Sequence, residues 1–232
     1  LDKIAAGPLC PADLALYTRA IMPSPLALVD SGPDKETFVW ILTPSPTRTP
    51  AFVVCDGSLL FAEWKLAGAC ARQGWAWAAY DRLGQMTAAA HGCTPPWVVG
   101  INATELWALH MAAQNTDPFC PLLIDCQAVQ KGTTRGPSWA RSPARKYGRV
   151  WSPLSSALDG GRPVTWMPAH CMASMVGVKR LSDGTTLTEA QRIGNDTVDH
   201  FAKKIPKDNA PPKHQREAVE AATNSLFVIA AW

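Results

Sequence analysis

No uninterrupted apolar run in this 232-residue chain approaches the roughly 20 residues needed to cross a bilayer. The opening "LDKIAAGPLC" also lacks a basic segment followed by an apolar one, so no secretory leader is read there and the chain is expected to be intracellular, in cytoplasm or nucleus. Cysteine offers no scaffold. The seven thiols, at 10, 55, 70, 93, 120, 126 and 171, form no CxxC pair and no regular spacing, which argues against both a disulfide framework and a zinc knuckle. There is no internal repeat. A net charge of only +3 is too mild to argue for a polyanionic partner from the total alone. One local absence is informative: from Cys126 to Leu158 there is no Asp or Glu, while Lys131, Arg135, Arg141, Arg145, Lys146 and Arg149 all fall inside.

Those basic residues are interleaved with Trp139, Tyr147 and Trp151. Such a span suits contact with phosphates, its aromatics either stacking on sugars and bases or packing inward. Lys131 and Arg135 are therefore candidate substrate contacts. Residues 1–50 carry eight prolines around one extended run, "TFVWILT", and read as a Pro-rich lead-in. The first residue is Leu1 rather than Met, which fits a piece of a longer polypeptide. A main α/β domain is expected over 51–204, with a tail over 205–232.

Within 51–204, "AFVVCD" and "GWAWAAYD" read as strands that pair as neighbours. "NATELWALHMAAQN" has Leu106, Leu109 and Ala113 at helical spacing, with Asn102 as expected N-cap. "PFCPLLID" is again an apolar strand ending on a carboxylate, Asp125. "RPVTWMPAH" runs from a strand into a loop at His170, and "NDTVDHFAKK" reads as a helix capped by Asn195.

Two strand-end aspartates, Asp56 and Asp125, with Glu105 on the intervening helix, are positioned to form one negative cluster at the strand ends where open α/β sheets place their sites. Gly57 beside Asp56 admits a close approach by ligand or backbone. Hard oxygen donors without a His/Cys set favour Mg²⁺ or Mn²⁺ over zinc, and two such ions roughly 4 Å apart suit in-line displacement at phosphorus.

In order, "VVCDGS", "NATELWAL", "LLIDCQAV", "TWMPAH" and "GNDTVDHFAK" resemble the five signature segments of type I ribonuclease H, particularly the retroelement-encoded kind. The resemblance spans about Ala51 to Lys204. It implies an α/β ribonuclease H-like fold with a mixed five-stranded sheet flanked by helices. It implies a two-metal endonuclease acting on the RNA strand of an RNA–DNA hybrid, beside an upstream reverse transcriptase and without membrane attachment. Asp56, Glu105, Asp125 and Asp199 are the implied metal ligands, with Asp196, facing a similar direction, the near neighbour of the fourth. His170 matches the mobile-loop histidine that aids proton transfer or product release. Asn102 and Gln127 match contacts to the RNA strand, and Ser58 is a further candidate contact. Ile101 departs from the pattern, and the stretch between His170 and Asp199 is longer than usual. The alternative is a non-catalytic module of the same fold, against which four intact, mutually repelling acids speak.

Overall fold

Alternation of side chains along two long strands divides the interior into two layers. In the computed structural model, which describes residues 29, 32–33, 35–63 and 69–230, β2 (Phe52–Leu60) and β3 (Arg72–Tyr80) lie side by side in the sheet, as the sequence leads one to expect. Because successive residues of a strand face opposite ways, Val53, Cys55, Trp75 and Trp77 enter one apolar cluster. Val54, Ala76, Ala78 and Tyr80 enter the other. The first is closed by Leu106, Leu109 and Ala112 of α1 (Ile101–Asn115), then by Val129 of α2 (Gln127–Thr133), Ala140 of α3 (Pro137–Ala140), and Val150 and Leu154 of α4 (Gly148–Ala157). The second is closed by Val198 and Ala202 of α5 (Glu189–Asp208).

The strand order is β1-β4-β3-β2-β5-β6, completed by β1 (Val39–Leu42), β4 (Met86–Gly92), β5 (Leu122–Ile124) and β6 (Val164–Trp166). β4 pairs antiparallel with β1 and β3, whereas β5 pairs parallel with β2 and β6. This is the expected class, a mixed sheet with helices on both faces, but it has six strands rather than five. The added edge strand, β1, comes from the "TFVWILT" run inside the 1–50 segment. Phe38 and Trp40 anchor it, their rings 5.5 Å from those of Trp75 and Trp77 respectively.

Two helix starts differ from expectation. Gly100, not Asn102, precedes α1, which leaves Asn102 exposed in the first turn with no capping role. α5 begins six residues before Asn195. The Thr188 hydroxyl accepts from the Gln191 N–H at 3.2 Å, and the Gln191 side chain accepts from the Thr188 N–H at 2.8 Å, a reciprocal capping box. Asn195 is consequently buried inside the helix. α5 also continues past residue 204, through Pro206 to Asp208. Pro206 cannot donate to the Ala202 carbonyl, and that carbonyl lies so near Gly74 of β3 that a Cβ there would stand 2.3 Å from it. At the far end of α1, buried Arg162 donates to the carbonyls of Cys120 (2.7 Å) and Ala113 (3.1 Å) and to the Thr116 hydroxyl (2.7 Å), fixing the helix that carries Glu105.

These elements belong to one unit, formed by residues 33–60 and 73–208. A second unit gathers the described residues of 1–32, 61–72 and 209–232. Its helix α6 (Lys213–Ala230) contributes Val219 to a small cluster with Cys70, Val29 and Phe61, and the Arg216 guanidinium lies 4.8 Å from the Phe61 ring centroid. No helix among the described residues is long and apolar enough to cross a membrane.

Candidate metal centre

The parallel register of β2 and β5 brings two acids together. Val53, Val54 and Cys55 lie opposite Leu122, Leu123 and Ile124, so the next residue on each strand is a carboxylate, Asp56 and Asp125. Glu105 arrives from α1, which crosses β2 at Gly57. A Cβ on Gly57 would stand 2.5 Å from the Glu105 nitrogen and 2.6 Å from the Thr104 carbonyl carbon. Only glycine permits that crossing, and the Gly57 N–H donates to Glu105 Oε2 at 2.9 Å. The close approach that Gly57 admits is therefore that of the helix backbone.

Asp56, Glu105 and Asp125 each offer an oxygen, all within 4.8 Å of one another. Asp56 and Glu105 are only 4% and 6% exposed. Loss of hydration, followed by repulsion from Asp125 and Asp199, pushes the Asp56 carboxyl up from 3.8 to about 8. Glu105 is held well above the usual range by burial and then by Asp56 and Asp125. Asp125 is raised by burial, against the pull of the Asn195 amide and of His170. Three crowded acids, each with its carboxyl raised and with hard oxygen donors throughout, fit a divalent cation such as Mg²⁺ or Mn²⁺.

Asp199 projects from α5 close enough for its charge to act on both Asp56 and Asp125. It stands outside the trio, ion-paired to Lys203 at 2.7 Å. Asp196, expected to face a similar direction, is instead clasped by Arg192 at 2.9 Å, and the same guanidinium holds Glu189 at 2.8 Å. His170 lies exposed in the loop after β6, its backbone left-handed at φ 49° and its charge felt at Asp125.

Of the candidate substrate contacts, Asn102, Gln127, Lys131 and Arg135 are exposed. Ser58 is not: at 4% exposure it is buried on β2. The aromatics of the acid-free span also turn inward. Trp151 is in the core with Trp139 and Tyr147 packed against it, and the Trp139 and Trp151 rings meet edge to face at 5.0 Å. Arg135 and Arg145 lie over Trp139, 5.1 and 4.6 Å from its centroid. Arg141, Arg145, Arg149, Trp97 and Tyr147 line a groove of about 510 Å³. A larger cavity of about 650 Å³ lies among Pro50, Asp81 and Pro121, where β2 and β5 begin, at the other strand ends from the acids.

Two residues at the centre carry no expectation from sequence as site residues. Asn195 Nδ2 donates to Asp125 Oδ2 at 3.3 Å, and Trp166 Nε1 donates to the Asp125 carbonyl at 2.8 Å. The "GND" segment marks Asn195 as noteworthy but suggests a cap; no sequence signal marks the indole.

Sheet and centre together define an α/β domain in which two aspartates at the carboxyl ends of adjacent parallel strands meet a buried helical glutamate. No family model matches the chain, and no curated protein matches it. Among solved structures it is similar to the PFV RNase H domain determined in solution, with a TM-score of 0.46 and 12% identity over 68% of this chain and 94% of that one. It is also similar to the Prototype Foamy Virus protease-reverse transcriptase crystal structure, with a TM-score of 0.44 and 13% identity over 72% of this chain and 22% of that one.

Proposed function

We propose that the chain is the metal-dependent endonuclease portion of a retroelement polyprotein, hydrolysing the RNA strand of RNA–DNA hybrids. The convergence of Asp56, Glu105 and Asp125 carries the reading, since a domain that only binds has no use for buried acids that repel one another. The five segments in order, spread over elements that meet at one end of the sheet, support it. The catalytic unit is drawn as residues 33–60 and 73–208, which adds the β1 segment to the 51–204 span and leaves 61–72 out of it.

Two bound divalent cations, Mg²⁺ or Mn²⁺, would supply activation of the attacking water and stabilisation of the departing 3′ oxygen. Asp56, Glu105 and Asp125 would hold them, with Asp199, now ion-paired to Lys203, as the fourth ligand. His170, exposed beside Asp125, passes a proton at the imidazole as the product leaves. Asn102 and Gln127 lie against the RNA strand, where a 2′-hydroxyl distinguishes it from DNA. Lys131 and Arg135 bind phosphates. The ends produced are 5′-phosphate and 3′-hydroxyl.

A labelled hybrid incubated with the full chain and Mg²⁺ or Mn²⁺ tests this. Cleavage of the RNA strand is expected, and Asp125→Asn abolishes it while circular dichroism and melting show an intact fold. Cleavage undiminished in that variant sinks the proposal.

A further inference from the structure

β5 is three residues long and ends immediately before Asp125, after which the chain turns into α2. The last main-chain bond between β5 and β6 runs from the Met167 N–H to the Ile124 carbonyl at 3.0 Å. Beyond it, the peptide that carries Asp125 has left the ladder, and rotation there would swing the carboxylate. The Trp166 indole closes that gap by donating to the Asp125 carbonyl at 2.8 Å. Trp166 is itself fixed: its N–H donates to the Ser182 hydroxyl at 2.8 Å, and its carbonyl accepts from the Ser182 N–H at 3.0 Å. Ser182 sits in a tight hairpin over 179–187, joined by the Arg180–Thr186 bridge and by the Leu181 N–H to the Thr185 carbonyl at 2.9 Å. Asp183 gathers the Thr185 N–H and hydroxyl at its tip. Leu181 and Leu187 root the hairpin in the same cluster as Leu123 and Val198.

We propose that this hairpin and Trp166 form a positioning device for Asp125, an unbroken path of bonds that runs from residues 179–187 to the backbone of a metal ligand. The device rests on the metal-centre reading above. Asn195 grips the carboxylate from α5, and Trp166 grips the carbonyl from β6, so the side chain is aimed from two sides before a cation arrives. Partners behind the ligands of a metal typically change its affinity 10- to 100-fold when removed.

The test is Mn²⁺ binding to the full chain by calorimetry, without substrate, alongside thermal melting and cleavage as a function of Mn²⁺. Trp166→Phe, which keeps the ring and loses the N–H, is expected to weaken Mn²⁺ binding about ten-fold, leave the melting temperature nearly unchanged, and regain cleavage when Mn²⁺ is raised. Ser182→Ala shifts binding in the same direction by less, and decides the matter if the tryptophan variant does not fold. A folded variant that binds Mn²⁺ as the wild type does, in a chain that cleaves normally, overturns the positioning role alone. A folded wild type that binds no Mn²⁺ overturns the metal centre and this role with it.

Discussion

The Asp56 carboxyl is pushed up to about 8, and the cause is local: it is buried on a strand and faced by Asp125 and Asp199, which together outweigh the hydrogen bonding from Glu105 and the Gly57 N–H. Its folded-state value of about 8 lies above the ordinary 3.8. The stabilisation from holding that proton is complete below about pH 4 and is lost as pH rises through about 8, because the unfolded chain ionises first. Asp56→Asn should therefore raise the melting temperature of the metal-free protein at pH 8 by at least about 2–4 °C and change it little at pH 4. Melting curves in chelator at the two pH values check this; equal shifts at both would contradict it. At this scale the sequence is a partial guide. The charge at the end of an apolar run is visible in "FVVCDGS", whereas the need for Gly57 depends on a helix 48 residues away in the chain.

Among the elements, α5 illustrates how a start signal is overlooked when a second one lies nearby. "TEAQ" at 188–191 has the spacing of a capping box, yet Asn195 after Gly194 has the composition of a cap as well. The bonds choose the first, and the choice frees Asn195 to hold Asp125. Thr188→Ala should cost about 1 kcal/mol, seen as a melting temperature lower by about 2–4 °C with metal binding preserved; an unchanged melt would mean that α5 is held by packing alone. β4 is obscure for another reason. "MTAAAHG" is poor in β-branched residues, and it becomes a strand because β1 and β3 pair with it from either side. β5 and β6 are legible as strands but not in their three-residue length, because parallel pairing with their neighbours sets their extent.

Across the whole chain, charge is distributed more tellingly than its sum suggests. The acid-free span is plain in the sequence, but the direction of its aromatics is not: Trp139 and Trp151 serve the core, and arginines are left to line the groove. Replacing Arg145 and Arg149 by Gln should weaken hybrid binding and reduce the slope of log K against log salt by roughly one to two. Binding measured across a salt series decides it, and an unaltered slope would remove the groove from the phosphate path. The sheet's two edges are also unlike. At β6 the outward N–H and carbonyl of Trp166 are consumed by Ser182, while among the described residues β1 pairs on one side only, with β4. In the language of polymer chemistry the described sheet is monofunctional: a strand added beside β1 meets an open edge, whereas one arriving at Trp166 finds its N–H and carbonyl already taken by Ser182.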